Sequence, residues 1–167
     1  RQRQMCIRDS TCVVSPAFTD GPFFVDEKLN RSDIRPDTGT GVASAGTPLL
    51  LGLNVLSVGA AGCTALAGAV VDVWQCDALG AYSGASDPSL NTKGKNFLRG
   101  SQVTDSAGQV KFTTVFPGWY RGRAVHIHIK VRGAASGGKS YEFTSQLFFD
   151  EAQIDEIFAN APYVGRG

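Results

Sequence analysis

Apolar residues recur along this chain in short runs and at alternate positions, interrupted every few residues by Gly, Pro, Ser or Asp. That is the punctuation of strands joined by turns. Residues 11–46 are loop-rich, broken by Pro16, Gly21-Pro22, Pro36, Gly39, Gly41 and Gly46. Residues 48–58 (PLLLGLNVLSV) predict a strand, followed by a turn at 59–62. Residues 68–76 (GAVVDVWQC) are apolar on both faces, which suits a buried central strand. Residues 77–95 form a long loop rich in Gly, Ser and Asn, and such loops are uncommon in a compact domain unless they serve a site. Strands at 97–104 and 109–116, joined by the Asp105-Ser106-Ala107-Gly108 turn, predict a hairpin. A loop at 117–122 precedes strands at 123–132 and 141–149, with a flexible turn at 133–138 between them. One short helix follows. Asp150 caps it, Gln153 holds the capping-box position, Ile154, Ile157 and Phe158 share a face, and Pro162 stops it. The pattern predicts an all-β protein, a β-sandwich of mainly antiparallel strands with one short helix near the C-terminus.

Composition narrows the function classes. The 167 residues, 43% of them apolar, suffice for one domain with a real core. A net charge of +1 speaks against an electrostatic nucleic-acid binder, which needs a basic surplus. No apolar run reaches the ~18 residues of a membrane span. Glycine, at 20 residues, is well above the usual ~7% and agrees with a turn-rich chain. The segment Met5-Cys6-Ile7-Arg8-Asp9-Ser10 reads like a translated sequencing adapter, so residues 1–10 are expected to be a tail outside the fold. Residues 11–167 are expected to form the single domain.

The chain has four cysteines, Cys6, Cys12, Cys63 and Cys76. With Cys6 in the tail, three remain, enough for one disulfide and one free thiol. Cys63 and Cys76 flank the strand expected over 67–76. At ~3.3 Å per residue that strand exceeds the ~7 Å Cα limit of a disulfide, so these two are not expected to pair. Cys12 stays open to either, and burial of all three as small apolar side chains is an equal alternative. No C-x-x-C occurs, so neither a zinc knuckle nor a thioredoxin-type site is supported.

The two histidines of the chain stand at Val125-His126-Ile127-His128-Ile129. Alternate residues of a strand share a face, so His126 and His128 point one way while Val125, Ile127, Ile129 and Val131 point into the core. An H-x-H pair is a common metal half-site. Exposed or hydrogen-bonded histidines explain it equally well, and it does not choose among zinc, copper and iron. Tyr82 lies in the long loop and Tyr120 in the loop before this strand. A loop tyrosine is ordinarily an amphipathic packing residue. Two phenolates joining two imidazoles would suit a hard ferric ion, whose charge deprotonates the phenols on ligation.

A series of blocks, in order, resembles the intradiol ring-cleavage dioxygenases, non-haem Fe(III) enzymes that open catechols. The blocks are Thr19-Asp20-Gly21-Pro22-Phe23, Val73-Trp74-Gln75-Cys76-Asp77-Ala78-Leu79-Gly80-Ala81-Tyr82-Ser83, Leu98-Arg99-Gly100, Thr104-Asp105-Ser106-Ala107-Gly108, Phe116-Pro117-Gly118-Trp119-Tyr120 and Arg123-Ala124-Val125-His126-Ile127-His128. The resemblance covers most of residues 12–150. It implies Tyr82, Tyr120, His126 and His128 as the four Fe(III) ligands, with Tyr120 and His126 axial. It implies Tyr120 as a base toward the substrate as well. Arg123 would stabilise charge on the activated ring from the loop before the strand, and Gln146 would support the pocket from the opposite face of 141–149. Asp20, Gly21, Pro22 and Trp119 would line the substrate pocket, and Trp74 is expected in the core. The implied reaction cleaves a catecholic ring with O2 between its two hydroxyl-bearing carbons to give a muconate-type diacid.

The chain departs from this family in three ways. It lacks the helical N-terminal region through which catechol dioxygenases dimerise, which favours the shorter, stand-alone members. Cys12, Cys63 and Cys76 resemble a cysteine-bearing, exported group, so a secreted protein is expected, with the cytoplasm as the alternative. The chain ends at Pro162–Gly167 where relatives continue, the pattern of a truncated fragment. Two rival readings share the same core: a secreted β-sandwich binding module without catalysis, and a zinc or copper site on the same His pair. The expected partners are a small catecholic substrate and O2, with neither nucleic acid nor membrane; which catechol, and the oligomeric state, the sequence leaves open.

Overall fold

The computed structural model describes residues 14–60, 62–87, 90–134 and 140–163. The expected tail at 1–10, Cys6, Cys12 and most of the expected turn at 133–138 lie outside the described residues. The strands are β1 (Pro48–Asn54), β2 (Leu56–Gly59), β3 (Gly62–Ala65), β4 (Val70–Trp74), β5 (Ser86–Asp87), β6 (Leu90–Asn91), β7 (Arg99–Val103), β8 (Gln109–Val115), β9 (His126–Ala134) and β10 (Ser140–Phe148); α1 (Glu151–Phe158) follows. One sheet has the order β10-β9-β4-β7, antiparallel throughout. β1 pairs antiparallel with β8, and β2-β3 and β5-β6 are short ribbons. The protein is an all-β sandwich with one short helix, as its pattern predicts.

Two expectations need correction. The strand expected over 48–58 is broken at Val55. There the backbone N–H donates to the Gly108 carbonyl while the Val55 carbonyl accepts from Leu66. Val55 is therefore a corner, where the chain leaves β8 and joins the β2-β3 ribbon. The hairpin expected from 97–104 and 109–116 does not form either. The turn is real, because Gly108 N–H donates to the Asp105 carbonyl. The strands then diverge: β7 pairs with β4 and β8 with β1.

The core lies between the two larger sheets. Val71 and Val73 of β4, Ile127 and Val131 of β9, Val110 and Phe112 of β8, and Ile34 are buried together, with Leu49, Leu51 and Leu53 of β1 packed on them. Their inward direction follows from the two-residue period. Helix α1 closes one end. Asp150 accepts from the Ala152 N–H, and Ile154 is buried with Ala78, Phe116, Val125 and Tyr163. Of the cysteines, Cys76 is free and buried, whereas Cys63 is disulfide-bonded. The two therefore do not pair, and Cys63 is not the plain apolar residue that one alternative allowed.

The outer face of the four-stranded sheet is polar, and the N-terminal segment lies across it. Phe18 N–H donates to the Thr144 carbonyl. Lys130, 4% exposed, donates to Asp20 at 2.7 Å and sits 4.0 Å above the Phe24 ring. Arg132 bridges Asp26 and Asp72. A buried cation is tolerable only when paired, so Lys130 fixes where Asp20 must lie. Burial alone would raise the Asp20 carboxyl, but hydrogen bonds from Lys130 and Thr144 and the Lys130 charge hold it below the usual range. A depressed carboxyl contributes stability above its unfolded value and loses it as pH falls through the folded value. Asp20→Asn should therefore lower the melting temperature at pH 7, and the gap should close as pH falls below about 4. Calorimetry at both pH values checks this; a gap independent of pH would contradict the pairing.

Candidate functional site

The site is built on β9. His126 and His128 alternate with buried Ile127, and both rings are buried on the outer face of the sheet. His126 Nδ1 lies 2.6 Å from the Ala124 carbonyl, which can only accept, so Nδ1 carries the proton. Nε2 of the neutral ring is then a lone-pair donor atom. It faces His128 Nε2 at 2.9 Å and Tyr82 Oη at 3.2 Å. His128 is held by a parallel stack on Trp74, with ring centroids 4.7 Å apart and 6° between planes. Gly21 lies near its Cε1, which an added Cβ would approach to 3.6 Å. His128 Nδ1 and Trp74 Nε1 are buried without a hydrogen-bond partner among the described residues. Burial, helped by the charges of His126 and Arg123, pushes His128 down to about 3. Burial also lowers His126, against the Ala124 bond that raises it. Both imidazoles are neutral at pH 7.

Tyr82 is delivered by the long loop, whose start is a tight turn. The Asp77 carboxylate accepts from Leu79 and Ala81, both at 2.9 Å. The Tyr82 ring stacks on Phe23 at 4.5 Å, and Thr92 Oγ1 donates to its carbonyl at 2.6 Å. Next to it, buried Arg99 of β7 donates from Nε to Ser83 Oγ at 2.8 Å and from Nη2 to the Ser83 carbonyl at 2.5 Å. Burial raises the Tyr82 phenol, so it is protonated in the protein alone. Tyr120 comes from the loop before β9. Its ring meets Tyr82 edge-on at 5.4 Å and Phe23 at 5.2 Å. The two tyrosine loops are packed backbone to backbone. Gly118 N–H donates to the Asp77 carbonyl at 3.0 Å, and Cys76 Sγ donates to the Gly118 carbonyl at 3.3 Å. A Cβ at Gly118 would run into the carbonyls of Asp77 and Ala78, and one at Gly80 into that of Trp119.

The remaining expected residues divide. Arg123 is in the loop before β9, as expected, and its Nη2 donates to Gln146 Oε1 at 2.9 Å. Gln146 is the cross-strand neighbour of His128, so it shares the outer face with the histidines. Its Nε2 donates to the Thr19 carbonyl at 3.4 Å. Asp20 turns to Lys130 and Thr144. Pro22 is exposed, and Trp119 packs on the cluster of Ala78, Phe116 and Val125. Trp74 is buried as expected, but it is also a wall of the site. Among the described residues no three His, Cys, Asp or Glu side chains gather. The groups that come together are two imidazoles and the Tyr82 phenol, with the Tyr120 ring against Tyr82. Sequence reasoning gave no role to Phe23, Thr92 or Arg99, although Arg99 had a signal: an arginine inside a strand bounded by Leu98 and Gly100.

A dioxygenase family model matches residues 16–164. An intradiol ring-cleavage dioxygenase of Tetranychus urticae is 34% identical, with a TM-score of 0.76, over 93% of this chain and 76% of its own. The chain belongs to the intradiol ring-cleavage dioxygenases. Two further members of this fold extend the comparison. The dioxygenase domain of a carbohydrate-binding fusion from Streptomyces sp. SirexAA-E is 30% identical, with a TM-score of 0.61, over 86% of this chain and 81% of its own. The hydroxyquinol 1,2-dioxygenase of Pseudomonas putida DLL-E4 is 25% identical, with a TM-score of 0.64, over 84% of this chain but only 50% of its own. No curated protein matches the chain. In this dioxygenase the contact between the tyrosine loops predicts a result. Gly118→Ala should cost about 1–3 kcal/mol in chemical denaturation, because overpacked backbone must shift. It should also change the near-ultraviolet circular dichroism of the tyrosines. An unchanged midpoint and spectrum would show that the loops are not locked here.

Proposed function

We propose that this dioxygenase binds Fe(III) through Tyr82, Tyr120, His126 and His128 and cleaves a catecholic ring between its hydroxyl-bearing carbons. The spacing of donor atoms carries the reading. His126 Nε2 lies 2.9 Å from His128 Nε2 and 3.2 Å from Tyr82 Oη. Atoms bonded at about 2.1 Å to neighbouring positions of one ion lie about 3 Å apart, so these three fit a shared ion. Anionic phenolate oxygen with neutral imidazole nitrogen suits a hard, trivalent metal. When bound, the ferric ion polarises the catechol and draws charge from its ring.

The protein's own groups divide the remaining work. Tyr82 is buried and stacked, so it serves as a fixed ligand. Tyr120, half-buried with its ring against Tyr82, would act as the base that takes a proton from a substrate hydroxyl. Arg123, oriented by Gln146, offers a fixed positive charge to the electron-rich ring. Trp74 and Phe23 cover the inner side and exclude water there. The disulfide at Cys63 supports an exported protein, since such bonds persist in oxidising compartments.

The test uses iron-loaded protein, catechol and isotopically labelled dioxygen. The expected product is a muconate carrying label from both oxygen atoms. A semialdehyde, an unlabelled quinone or no product would overturn the reading. His126→Ala should lose iron after loading and dialysis; a full iron complement in that variant would remove it from the ligand set.

A further inference from the structure

We propose that Phe18 and Phe148 form an aromatic shelf at the mouth of this site, which takes an apolar substituent on the catechol ring. The inference rests on the dioxygenase reading above and names its substrate class: catechols bearing an alkyl or aryl group.

The shelf is continuous with the donor cluster. Phe148 is the cross-strand neighbour of His126 in the β9-β10 register, and the two ring centroids are 6.2 Å apart. Phe18 meets Phe148 edge-on at 5.6 Å. The two rings are 42% and 49% exposed. A single exposed phenylalanine needs no explanation, but two in contact beside the polar donor cluster form a patch that favours an apolar ligand. The residues that flank them belong to the reacting end of the site. Gln146, two positions before Phe148 on the same strand face, holds Arg123, and its amide reaches the Thr19 carbonyl next to Phe18.

The polar groups beside the shelf are already committed. Asp20 takes Lys130 and Thr144, and Gln146 takes Arg123 and Thr19. A ring chelated at the His126–Tyr82 cluster and facing Arg123 would therefore meet aromatic carbon on its β10 side. The quadrupole and area of two phenylalanine rings reward an apolar or aromatic group there, and give nothing to a carboxylate.

The experiment measures dissociation constants by calorimetry, without oxygen, on the iron-loaded protein. The probes are catechol, tert-butylcatechol, phenylcatechol and protocatechuate. Turnover of each is measured in parallel. The wild type should bind the tert-butyl and phenyl compounds about tenfold more tightly than catechol, the discrimination that one or two buried methylene equivalents supply. In Phe148→Ala and in Phe18→Ala that ratio should shrink toward unity, while Phe148→Leu should keep most of it. Tighter binding of protocatechuate than of the apolar pair would overturn the shelf in favour of a carboxylate subsite. An unchanged ratio in both alanine variants would overturn it too. If catechol is cleaved but substitution gives no advantage, the shelf alone fails. If no probe is bound or cleaved, the dioxygenase reading fails, and the shelf with it.

Discussion

Two imidazole nitrogens 2.9 Å apart inside a protein, with a phenol oxygen 3.2 Å from one of them, form a buried polar cluster that the rest of the fold must hold in place. Buried polar atoms need partners, and His128 Nδ1 has none among the described residues. The arrangement persists because both faces of β9 are covered. Inside, Ile127 and Val131 pack in the sandwich core. Outside, Trp74 stacks on His128 and the N-terminal segment is clamped down by Lys130 and Arg132. The stability of the fold thus maintains a polar cluster that packing alone would not favour, as functional sites commonly do.

The loops answer to the same constraint. Tyr82 and Tyr120 are 38 positions apart in sequence, and their loops meet through the Gly118 N–H bond to the Asp77 carbonyl. Glycine is required where the loops touch, because a side chain would strike a carbonyl. Arg99 ties the far side of the Tyr82 turn to β7 through Ser83. Each tyrosine is therefore placed by rigid neighbours, Tyr82 buried and Tyr120 half-buried.

Much of this was legible in the sequence. The two-residue period put His126 and His128 on one face and Ile127 on the other, and the apolar run at 68–76 marked β4 as interior. The loop over 77–95 was legible from its Gly, Ser and Asn, although the short β5-β6 ribbon within it was not. Pairing was less legible. The turn at Asp105–Gly108 signals that the chain reverses, but not that β7 and β8 should stay together; burial of each against its own sheet decided that. The corner at Val55 follows Asn54, a poor strand former whose signal is easily lost among the leucines and valines around it. Arg99 and Phe23 act through contacts made only when distant segments meet, which spacing alone cannot reveal. The family resemblance supplied what composition could not, the expectation that Tyr82 and Tyr120 join the His pair. The structure brings the Tyr82 hydroxyl to the histidines and the Tyr120 ring to Tyr82.

The central claim is that these four side chains hold a ferric ion that a catechol can reach. The visible spectrum of the iron-loaded protein, taken before and after catechol is added without oxygen, tests it most directly. The account predicts a broad tyrosinate-to-iron absorption that moves to longer wavelength when catechol binds. A protein that stays colourless after iron loading, or a colour that catechol leaves unchanged, would contradict it.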